Sequence, residues 1–476
     1  MSTPNLPVHP GPASAVAPSP RVHTIAARAT IASALAVAGV LVSYGTLGAQ
    51  TPSSGKLTLG GAAKLAAERS ATTAVARERS SQADARVAQR RSEFLPTIST
   101  TAQLGTRSFN TASMGIEFPS SPGGPPAYDP DGEVQGPVRS LDVRAQITQR
   151  IVDVPAVLRW RAAGADADAV AYRAEAAADD AAKRGATAYL RVLRADARIT
   201  ARQADSLLAA ELLDIARQQL RAGVGIALDV TRAESQLADA RARLIATRGE
   251  RDRSMLQLRH ELALADATPL VIADSLEAPA QTEPVAREDE IIRKALDNRG
   301  DFKAALTQSD AARTSARAAA AARLPAISLY ADHGSNGRNT DRLLGTYSYG
   351  VQISMPIFDG LRMESRTSEE RSRLREAEVQ AQDTRRRVET EVRTALISVA
   401  SAREEVAAAE ARLVLAEQEV AQARERFRQG VSGNADVITA SMTLNSARDL
   451  VIDALTSYHM ARVSLASAQG TTTRLQ

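Results

Sequence analysis

Residues 347–360 read Tyr347-Ser348-Tyr349-Gly350-Val351-Gln352-Ile353-Ser354-Met355-Pro356-Ile357-Phe358-Asp359-Gly360. Large apolar side chains alternate with small or polar ones as far as Met355, and this period of two predicts a β-strand with one apolar face. The residues that follow predict a helix over about Gly360–Arg428. At about 1.5 Å per residue that helix is on the order of 100 Å long, which no compact domain accommodates.

The same order of elements occurs twice in the chain, which is the signature of an internal repeat. The first half has its own long helix, predicted over about Pro155–Arg221. Each half also begins with a helix, about Thr58–Glu93 in the first and about Arg287–Arg323 in the second. Both opening helices stop at a Leu-Pro pair, Leu95-Pro96 and Leu324-Pro325, because proline disfavours helical geometry in the residue before it.

Alternation follows both Leu-Pro pairs and predicts four strands, over about residues 97–109, 139–152, 326–333 and 345–358. The loop inside the first pair, Phe118 to Pro137, is long and rich in proline and glycine, and its counterpart, His333 to Leu344, is shorter and polar. Half-buried hairpins of soluble proteins are the commoner origin of such strands. The lack of a partner sheet and the export signal described below favour strands of an outer-membrane barrel.

Four strands are too few to close a barrel. Exposed strand edges cannot lie in lipid, because unpaired backbone groups there cost several kcal/mol each. If these strands enter a membrane, the chain must therefore form an oligomer, and three copies would contribute twelve strands. Beyond the N-terminal signal, the sequence has no segment long and apolar enough for a membrane helix.

Each long helix ends in a glycine-containing turn that leads into a shorter return helix. The two turns read Arg221-Ala222-Gly223-Val224-Gly225 and Arg428-Gln429-Gly430-Val431-Ser432. Glycine readily supplies the left-handed residue that ends a helix. The return helices are predicted over about Leu228–Leu264 and Ala435–Ala468, and a proline-containing linker over residues 265–285 separates the two halves.

The N-terminal residues have the features of an export signal. Arg21, His23 and Arg28 form a basic region, and Ile31 to Val42 is an apolar run too short to span a bilayer comfortably. Small residues follow, and cleavage after Ala49 is predicted, so that residues 1–49 form the signal peptide. The alternative is an uncleaved anchor.

The composition excludes several classes of function. The chain has no cysteine, which excludes disulfides, thiolate metal sites, a cysteine nucleophile and a lipid-anchored N-terminal cysteine. His260, His333 and His459 show no ligand spacing, and neither a nucleophile elbow nor a phosphate-binding glycine loop occurs. We therefore expect no metal site, no cofactor and no enzyme activity. Arginine and glutamate interleave along the helices, which is typical of solvated faces and not of nucleic-acid binding.

The chain resembles the TolC-like outer-membrane efflux proteins over roughly residues 57–470. The resemblance rests on the doubled order of elements, the Leu-Pro pairs, Met355-Pro356-Ile357-Phe358-Asp359-Gly360 before a long helix, and Gly430 with Asp436-Val437 at the far turn. It implies a mostly α fold with a small β part. A long α-helical coiled-coil barrel would form a periplasmic tunnel, joined to a transmembrane β-barrel of twelve strands, four from each protomer of a homotrimer. The first efflux repeat would be residues 57–264, the linker 265–285, the second repeat 286–470 and the tail 471–476.

The resemblance also implies a function. Such proteins are passive ducts in the outer membrane of Gram-negative bacteria, surrounded by its lipid. They open at their periplasmic tip on engaging a periplasmic adaptor (membrane fusion) protein and an inner-membrane pump, in tripartite efflux or type I secretion systems. The adaptor would contact the two turns, at Arg221, Gly223, Val224, Gly225, Arg428, Gly430, Val431 and Ser432. The periplasmic aperture would be formed by Asp436, Asp229, Phe427 and Thr439.

Three regions of the chain depart from the family pattern. Arg150 stands where a proline is preferred, and no glycine follows Asp153, so the chain must turn there by other means. A DVLDA-like run is here Asp436-Val437-Ile438-Thr439-Ala440. A ring of three Asp436 side chains still favours cations, but the missing second acid predicts a weaker filter. Phe427 replaces a tyrosine, which removes any closing hydrogen bond from that side chain.

A periplasmic coiled-coil scaffold without membrane insertion is the alternative interpretation. The four alternating strands favour the duct, because a scaffold has no use for them. Drugs, metal ions and a secreted polypeptide are all open as the exported substrate.

Overall fold

The computed structural model describes residues 56–110, 134–265, 270–276 and 287–475. The predicted signal peptide, most of the predicted linker and most of the loop predicted at 118–137 lie outside these residues. The helices are α1 (Leu59–Arg69), α2 (Ala71–Ser92), α3 (Val154–Arg221), α4 (Ala227–Glu261), α5 (Glu288–Asn298), α6 (Gly300–Ala320), α7 (Arg362–Arg428) and α8 (Asn434–Ala468). The strands are β1 (Lys56–Leu57), β2 (Thr97–Asn110), β3 (Val134–Val152), β4 (Val271–Ile272), β5 (Ala326–Gly337) and β6 (Leu344–Ser354).

Four of these helices form two hairpins, α3 with α4 and α7 with α8. α3 has 68 residues and α7 has 67, so each is about 100 Å long, and both lie within two residues of the predicted bounds. Among the described residues, no helix combines the length and the hydropathy needed to cross a bilayer.

Each opening helix, predicted as one element, is in fact two helices. The first breaks at Ser70, whose ψ is 145° and whose Oγ accepts a hydrogen bond from Thr73 N at 3.3 Å. The second breaks at Arg299, whose guanidinium binds the Asp301 carboxylate at 2.6 and 2.9 Å. Burial opposes ionisation of that carboxylate, but Arg299 holds the pKa of Asp301 below its usual value. Neither break contains proline, so the sequence does not mark them.

The four predicted strands form one antiparallel sheet in the order β2-β3-β5-β6. Ile147 on β3 lies opposite Ile98 on β2 and Ala331 on β5, and Ala331 lies opposite Tyr349 on β6. The apolar positions of all four strands therefore share one face, as the alternation predicts.

Three predicted strand boundaries were wrong. β3 begins at Val134 and not near residue 139, and β5 continues to Gly337, so the loop to β6 is shorter than predicted. These added segments contain glycine and proline that interrupt the alternation, and pairing with neighbouring strands places them in the sheet. β6 ends at Ser354 and not at residue 358, because Pro356 has no N–H to donate to a neighbouring strand.

The apolar face of the sheet has the height of a membrane. Along β5 it runs from Ile327, opposite Ile353, to Ala331, and beyond that, where β5 carries His333 and Ser335, the apolar side chains are those of β3 as far as Leu141, opposite Gly337. Ten residue steps at about 3.4 Å give roughly 34 Å along the strand. At a strand tilt of about 40° the height is roughly 26 Å, close to the apolar band of outer-membrane barrels. The side chains Tyr349 and Ile353 on this face are 76% and 68% exposed in the single chain.

A bulge and a cluster of charges make the turn from β3 into α3. The register between β3 and β5 shifts just after Arg150, and Asp153 caps α3 by accepting a hydrogen bond from a first-turn N–H at 2.9 Å. Glu93, at the end of α2, accepts hydrogen bonds from Arg150 at 3.4 Å and from Arg159 at 3.5 Å. Burial raises the pKa of Glu93, but the surrounding arginines outweigh it and hold that pKa below its usual value. The bulge, the cap and these ion pairs are therefore the other means by which the chain turns here, in place of the proline and glycine of the family pattern.

Residues 270–276 of the predicted linker pack against the start of the first half. β4 pairs in parallel with β1, in a two-stranded sheet that the sequence did not predict. The Asp274 carboxylate accepts hydrogen bonds from Leu59 N at 2.8 Å and from Tyr189 Oη at 3.0 Å. The Tyr189 side chain is fully buried, and burial raises its pKa above the usual value. The linker is therefore anchored to α1 and α3.

The helix α3 packs against α1, α2, α4, α6 and α8, and small residues permit the closest of these contacts. Gly185 of α3 faces α1. A Cβ added there would lie 2.5 Å from Ala66 Cβ and 3.0 Å from Ala62 O. The surrounding core is alanine-rich, so the two backbones approach closely.

We expect Gly185→Ala to lower the free energy of unfolding by about 1–3 kcal/mol, because the added methyl overlaps Ala66 and forces α1 away from α3. Gly164→Ala is the matched control on the same helix, since nothing lies within 4 Å of its added Cβ, and it should stabilise by up to about 1 kcal/mol. Denaturant unfolding followed by circular dichroism measures both. Equal stability of the two variants would contradict the close packing of α1 on α3.

Candidate functional site

The turns at the far ends of the long helices have the same backbone hydrogen bonds. In each turn the glycine and the residue after it donate N–H bonds to carbonyls three and five residues earlier, at 2.9–3.1 Å. This pair of bonds is the Schellman motif. Gly223 and Gly430 occupy its left-handed position, with φ of +74° and +70°.

The most exposed side chains of the two turns are apolar. Val224 is 78% exposed and Val431 is 66% exposed. Ile226 and Leu228 at the start of α4 are exposed as well. Gly225 lies against the end of α3, where an added Cβ would be 3.0 Å from Leu220 N. At the far ends of the hairpins, the turns therefore present branched apolar side chains on a fixed backbone shape.

The return helices begin with equivalent acids. Asp229 and Asp436 both lie in the first turn of their helices, where the helix dipole favours a negative charge. The Asp229 side chain is only 16% exposed and lies 3.9 Å from Arg232. Asp436 is exposed, and so is Thr439, whose Oγ1 donates to Ala435 O at 3.0 Å.

Two side-chain amides join the hairpins near their turns. Gln219 Nε2 on α3 donates to Phe427 O on α7 at 2.7 Å. Asn434 Nδ2 on α8 donates to Asp229 O, at the start of α4, at 2.9 Å. The Asn434 side chain is fully buried. Each hairpin thus donates one hydrogen bond to a backbone carbonyl of the other, and we call this pair the tip links.

A small apolar core lies behind the tip links. Phe427 of α7 is 2% exposed and Val437 of α8 is fully buried. Both pack against Leu212, Leu213 and Leu237 of the first hairpin. Burial of a phenylalanine and a valine at this point contributes about 1.5–3 kcal/mol each, more than either tip link.

Ion pairs flank this core. Glu211 of α3 binds Arg424 of α7 and lies 3.5 Å from Arg428. Arg217 and Glu234 join α3 to α4 at 2.6 Å. All of these side chains are at least one-third exposed, so each pair contributes only about 0–1 kcal/mol.

A buried ionic ladder joins α3 to α8 farther from the turns. Asp205 is 3% exposed and accepts hydrogen bonds from Arg202 at 2.9 Å and from Arg448 at 2.8 Å. Arg202 also binds Asp449. Burial lowers the pKa of Arg202, but the two carboxylates raise it further, so it lies above the usual value. Asp205 precedes Gly223 by 18 residues, so the ladder clamps the hairpins about 27 Å from the tip.

Sequence reasoning found the turns and missed the contacts between them. The structure brings Asp229, Phe427 and both turns into one region, whereas Asp436 and Thr439 face solvent in the single chain. Phe427 is a core residue whose backbone carbonyl accepts a tip link. Gln219 and Asn434 were not predicted, because a polar residue near a helix end carries no sign of its distant partner.

A protein-family model described as "Outer membrane efflux protein" matches residues 62–263 and 291–471 of the chain. Protein CyaE of Bordetella pertussis is 27% identical over 308 residues, which are 61% of this chain and 65% of that protein. The chain thus matches 65% of the length of this curated relative.

Solved outer-membrane channels share the fold. The Campylobacter jejuni CmeC outer membrane channel matches with a TM-score of 0.71 at 18% identity, over 87% of this chain and 86% of that chain. The open state of the Neisseria gonorrhoeae MtrE outer membrane channel matches with a TM-score of 0.71 at 19% identity, over 87% of this chain and 88% of that one. The chain is similar to these channels in fold.

We expect the double variant Gln219→Ala/Asn434→Ala to loosen the tip. Each lost amide–carbonyl bond is worth about 1 kcal/mol, so amide hydrogen exchange in residues 223–229 and 427–437 should accelerate roughly tenfold or more. Gln429→Ala is the control, because its Nε2 bonds only to Glu425 on its own helix. Exchange rates equal to those of the control would show that the tip links do not stabilise the contact between the two hairpins.

Proposed function

The chain belongs to the outer membrane efflux protein family, and from that membership we propose that it is the passive, trimeric outer-membrane channel of a tripartite efflux or type I secretion system. Members of this family are outer-membrane channels with a long periplasmic helical portion. The observation that carries the proposal is the joining of a membrane-high apolar sheet to two helical hairpins about 100 Å long.

The sheet supports the trimer. Its outer strands, β2 and β6, have no partner along one edge within the described residues. Unpaired backbone groups in hydrocarbon cost several kcal/mol each, so the apolar face can enter a bilayer only when other copies pair with both edges. Three copies supply twelve strands, and β2 of one protomer would pair with β6 of the next. The scaffold alternative leaves this apolar face without a role.

The turns are the proposed docking point for a periplasmic adaptor protein, which links the channel to an inner-membrane pump. Val224 and Val431 present apolar surface there, and rigid backbone motifs hold both. Apolar side chains on a preformed surface bind a partner at low entropic cost. Arg221, Gly223, Gly225, Arg428, Gly430 and Ser432 would complete the contact.

The aperture is proposed to lie beside the turns. Three copies of Asp436 around one axis would favour cations, and Asp229 and Thr439 lie on the same hairpin ends. The tip links and the core around Phe427 hold the hairpins together in each protomer. Adaptor binding would open the aperture by separating these hairpins beyond the ionic ladder.

The cargo is proposed only as a class, a solute or polypeptide handed over by the pump, since no cargo-binding cavity is needed in a passive duct. We further propose that residues 1–49 are removed on export, and that the two repeats, 57–264 and 286–470, each contribute one hairpin to the tunnel.

We expect Val431→Trp to abolish efflux, because the larger side chain blocks the adaptor. The amount of protein in the outer membrane should stay the same, because Val431 is exposed and the new side chain disturbs no packing within the protomer. Gln89→Trp, at an exposed position of α2, is the control. Drug or metal tolerance of a strain that lacks the chromosomal copy, complemented with each variant, provides the measurement. Wild-type tolerance of the Val431→Trp strain would count against docking at this turn.

A further inference from the structure

The polar face of the four-stranded sheet holds three charged side chains in contact, which we call the sheet triad: Asp142 and Arg144 on β3, and Asp332 on β5. Arg144 Nη1 binds Asp332, and Arg144 Nη2 lies 3.4 Å from Asp142 Oδ2. Ser348 Oγ on β6 donates a further hydrogen bond to Asp332. The triad lies on the side of the sheet opposite to the apolar band.

The sheet triad has a net negative charge. It contains two carboxylates and one guanidinium, which leaves −1 per protomer. The Asp142 side chain is the most exposed of the three, at 37% against 27% for Arg144 and 12% for Asp332. Its Oδ1 atom is buried and accepts no hydrogen bond from any described residue, so the exposed part of the carboxylate is Oδ2. The unbalanced charge therefore lies mainly on Asp142.

Among the other charged residues near this face, Arg338 directly follows β5 and lies two residues beyond Asn336, the partner of Asp142, which is about 7 Å along the strand and close enough to offset part of the charge. The charged residues of the strands themselves are farther away. Arg150 pairs with Glu93 and Asp153 at the end of the sheet. Arg107 is four residues beyond Gln103, the partner of Asp142, and so about 13 Å away along the strand. That distance exceeds the Debye length of about 8 Å at physiological ionic strength.

A glycine on β5 leaves room for the Arg144 side chain to lie flat against the sheet. Gly334 lies directly opposite Arg144 and is buried. A Cβ there would lie 2.9 Å from Arg144 Cβ and 2.5 Å from Val143 O. Without that atom, the Arg144 side chain crosses β5 along the sheet and reaches Thr346 Oγ1 on β6 at 3.2 Å. The charges are thus held against the wall at one level of the strands.

We infer that the sheet triad makes the strand-lined part of the channel prefer cations, as a second selectivity element separate from the tip. The inference rests on the proposed function, because it needs three copies around one pore. Three triads of −1 at the same height give a ring of −3. A ring of charge on a low-dielectric wall raises the local concentration of counter-ions. Cationic and neutral solutes would therefore pass this level more readily than anionic ones.

The test is the reversal potential of single channels in a planar lipid bilayer under a potassium chloride gradient. Asp142→Asn brings each triad to zero charge and leaves the Arg144–Asp332 pair intact. Thr101→Asp adds a carboxylate on β2 directly opposite Arg144 and brings each triad to −2. Asp84→Asn, at an exposed position of α2, is the control. Each variant is also made in a chain that carries Asp436→Asn, so that the contribution of Asp436 at the tip is the same in every comparison.

We expect the wild type to prefer potassium. Asp142→Asn should lower the potassium-to-chloride permeability ratio by on the order of two-fold, and Thr101→Asp should raise it by a similar factor. Both shifts should persist with Asp436→Asn, and Asp84→Asn should change nothing. Conducting channels whose ratio is the same in all variants would overturn the inference and leave the channel proposal intact. A protein that forms no conducting channel would overturn the proposed function instead.

Discussion

Two open edges on one sheet are the constraint on which the rest of the structure depends. The sheet has an apolar face about as high as the hydrocarbon core of a membrane, yet among the described strands β2 and β6 each leave one edge unpaired. In lipid such edges are too costly to remain open. The same four strands are too few to enclose a pore. In the proposed trimer, pairing with other copies would remove both difficulties, and the symmetry of that assembly would determine where the helices lie.

The long helices follow the strands directly in the chain and extend much farther than the strands do. The β-bulge after Arg150 and the ion pairs of Arg150 with Glu93 and Asp153 redirect the chain from β3 into α3, which Asp153 caps. The second half enters α7 through Gly360 and Leu361, both in the left-handed region. Strand pairs and helical hairpins are therefore coupled at two points in each protomer. Close packing of α1 on α3 at Gly185 and the ladder at Asp205 keep the hairpins together between the sheet and the tip.

The sequence predicted the elements and their order well, because these depend on local rules. Alternation marked all four strands, and the glycines at 223 and 430 marked both turns. The sequence did not predict the helix breaks at Ser70 and Arg299, which contain no proline. It also missed the strand ends near Gly334 and the tip links of Gln219 and Asn434, which depend on distant partners. A serine cap or a buried amide looks like any other polar residue until its partner is known. The membrane assignment came from the missing partner sheet, the export signal and the family resemblance, because periodicity alone left the choice between a barrel and a soluble hairpin open.

The oligomeric state in the outer membrane tests the central claim most directly. The full chain would be expressed in a Gram-negative host, the outer membranes isolated, and the mass of the detergent-solubilised protein measured by light scattering. A mass of three protomers, recovered from the outer-membrane fraction, is the result that the shared barrel predicts. A soluble periplasmic monomer or dimer would contradict it and would favour the coiled-coil scaffold.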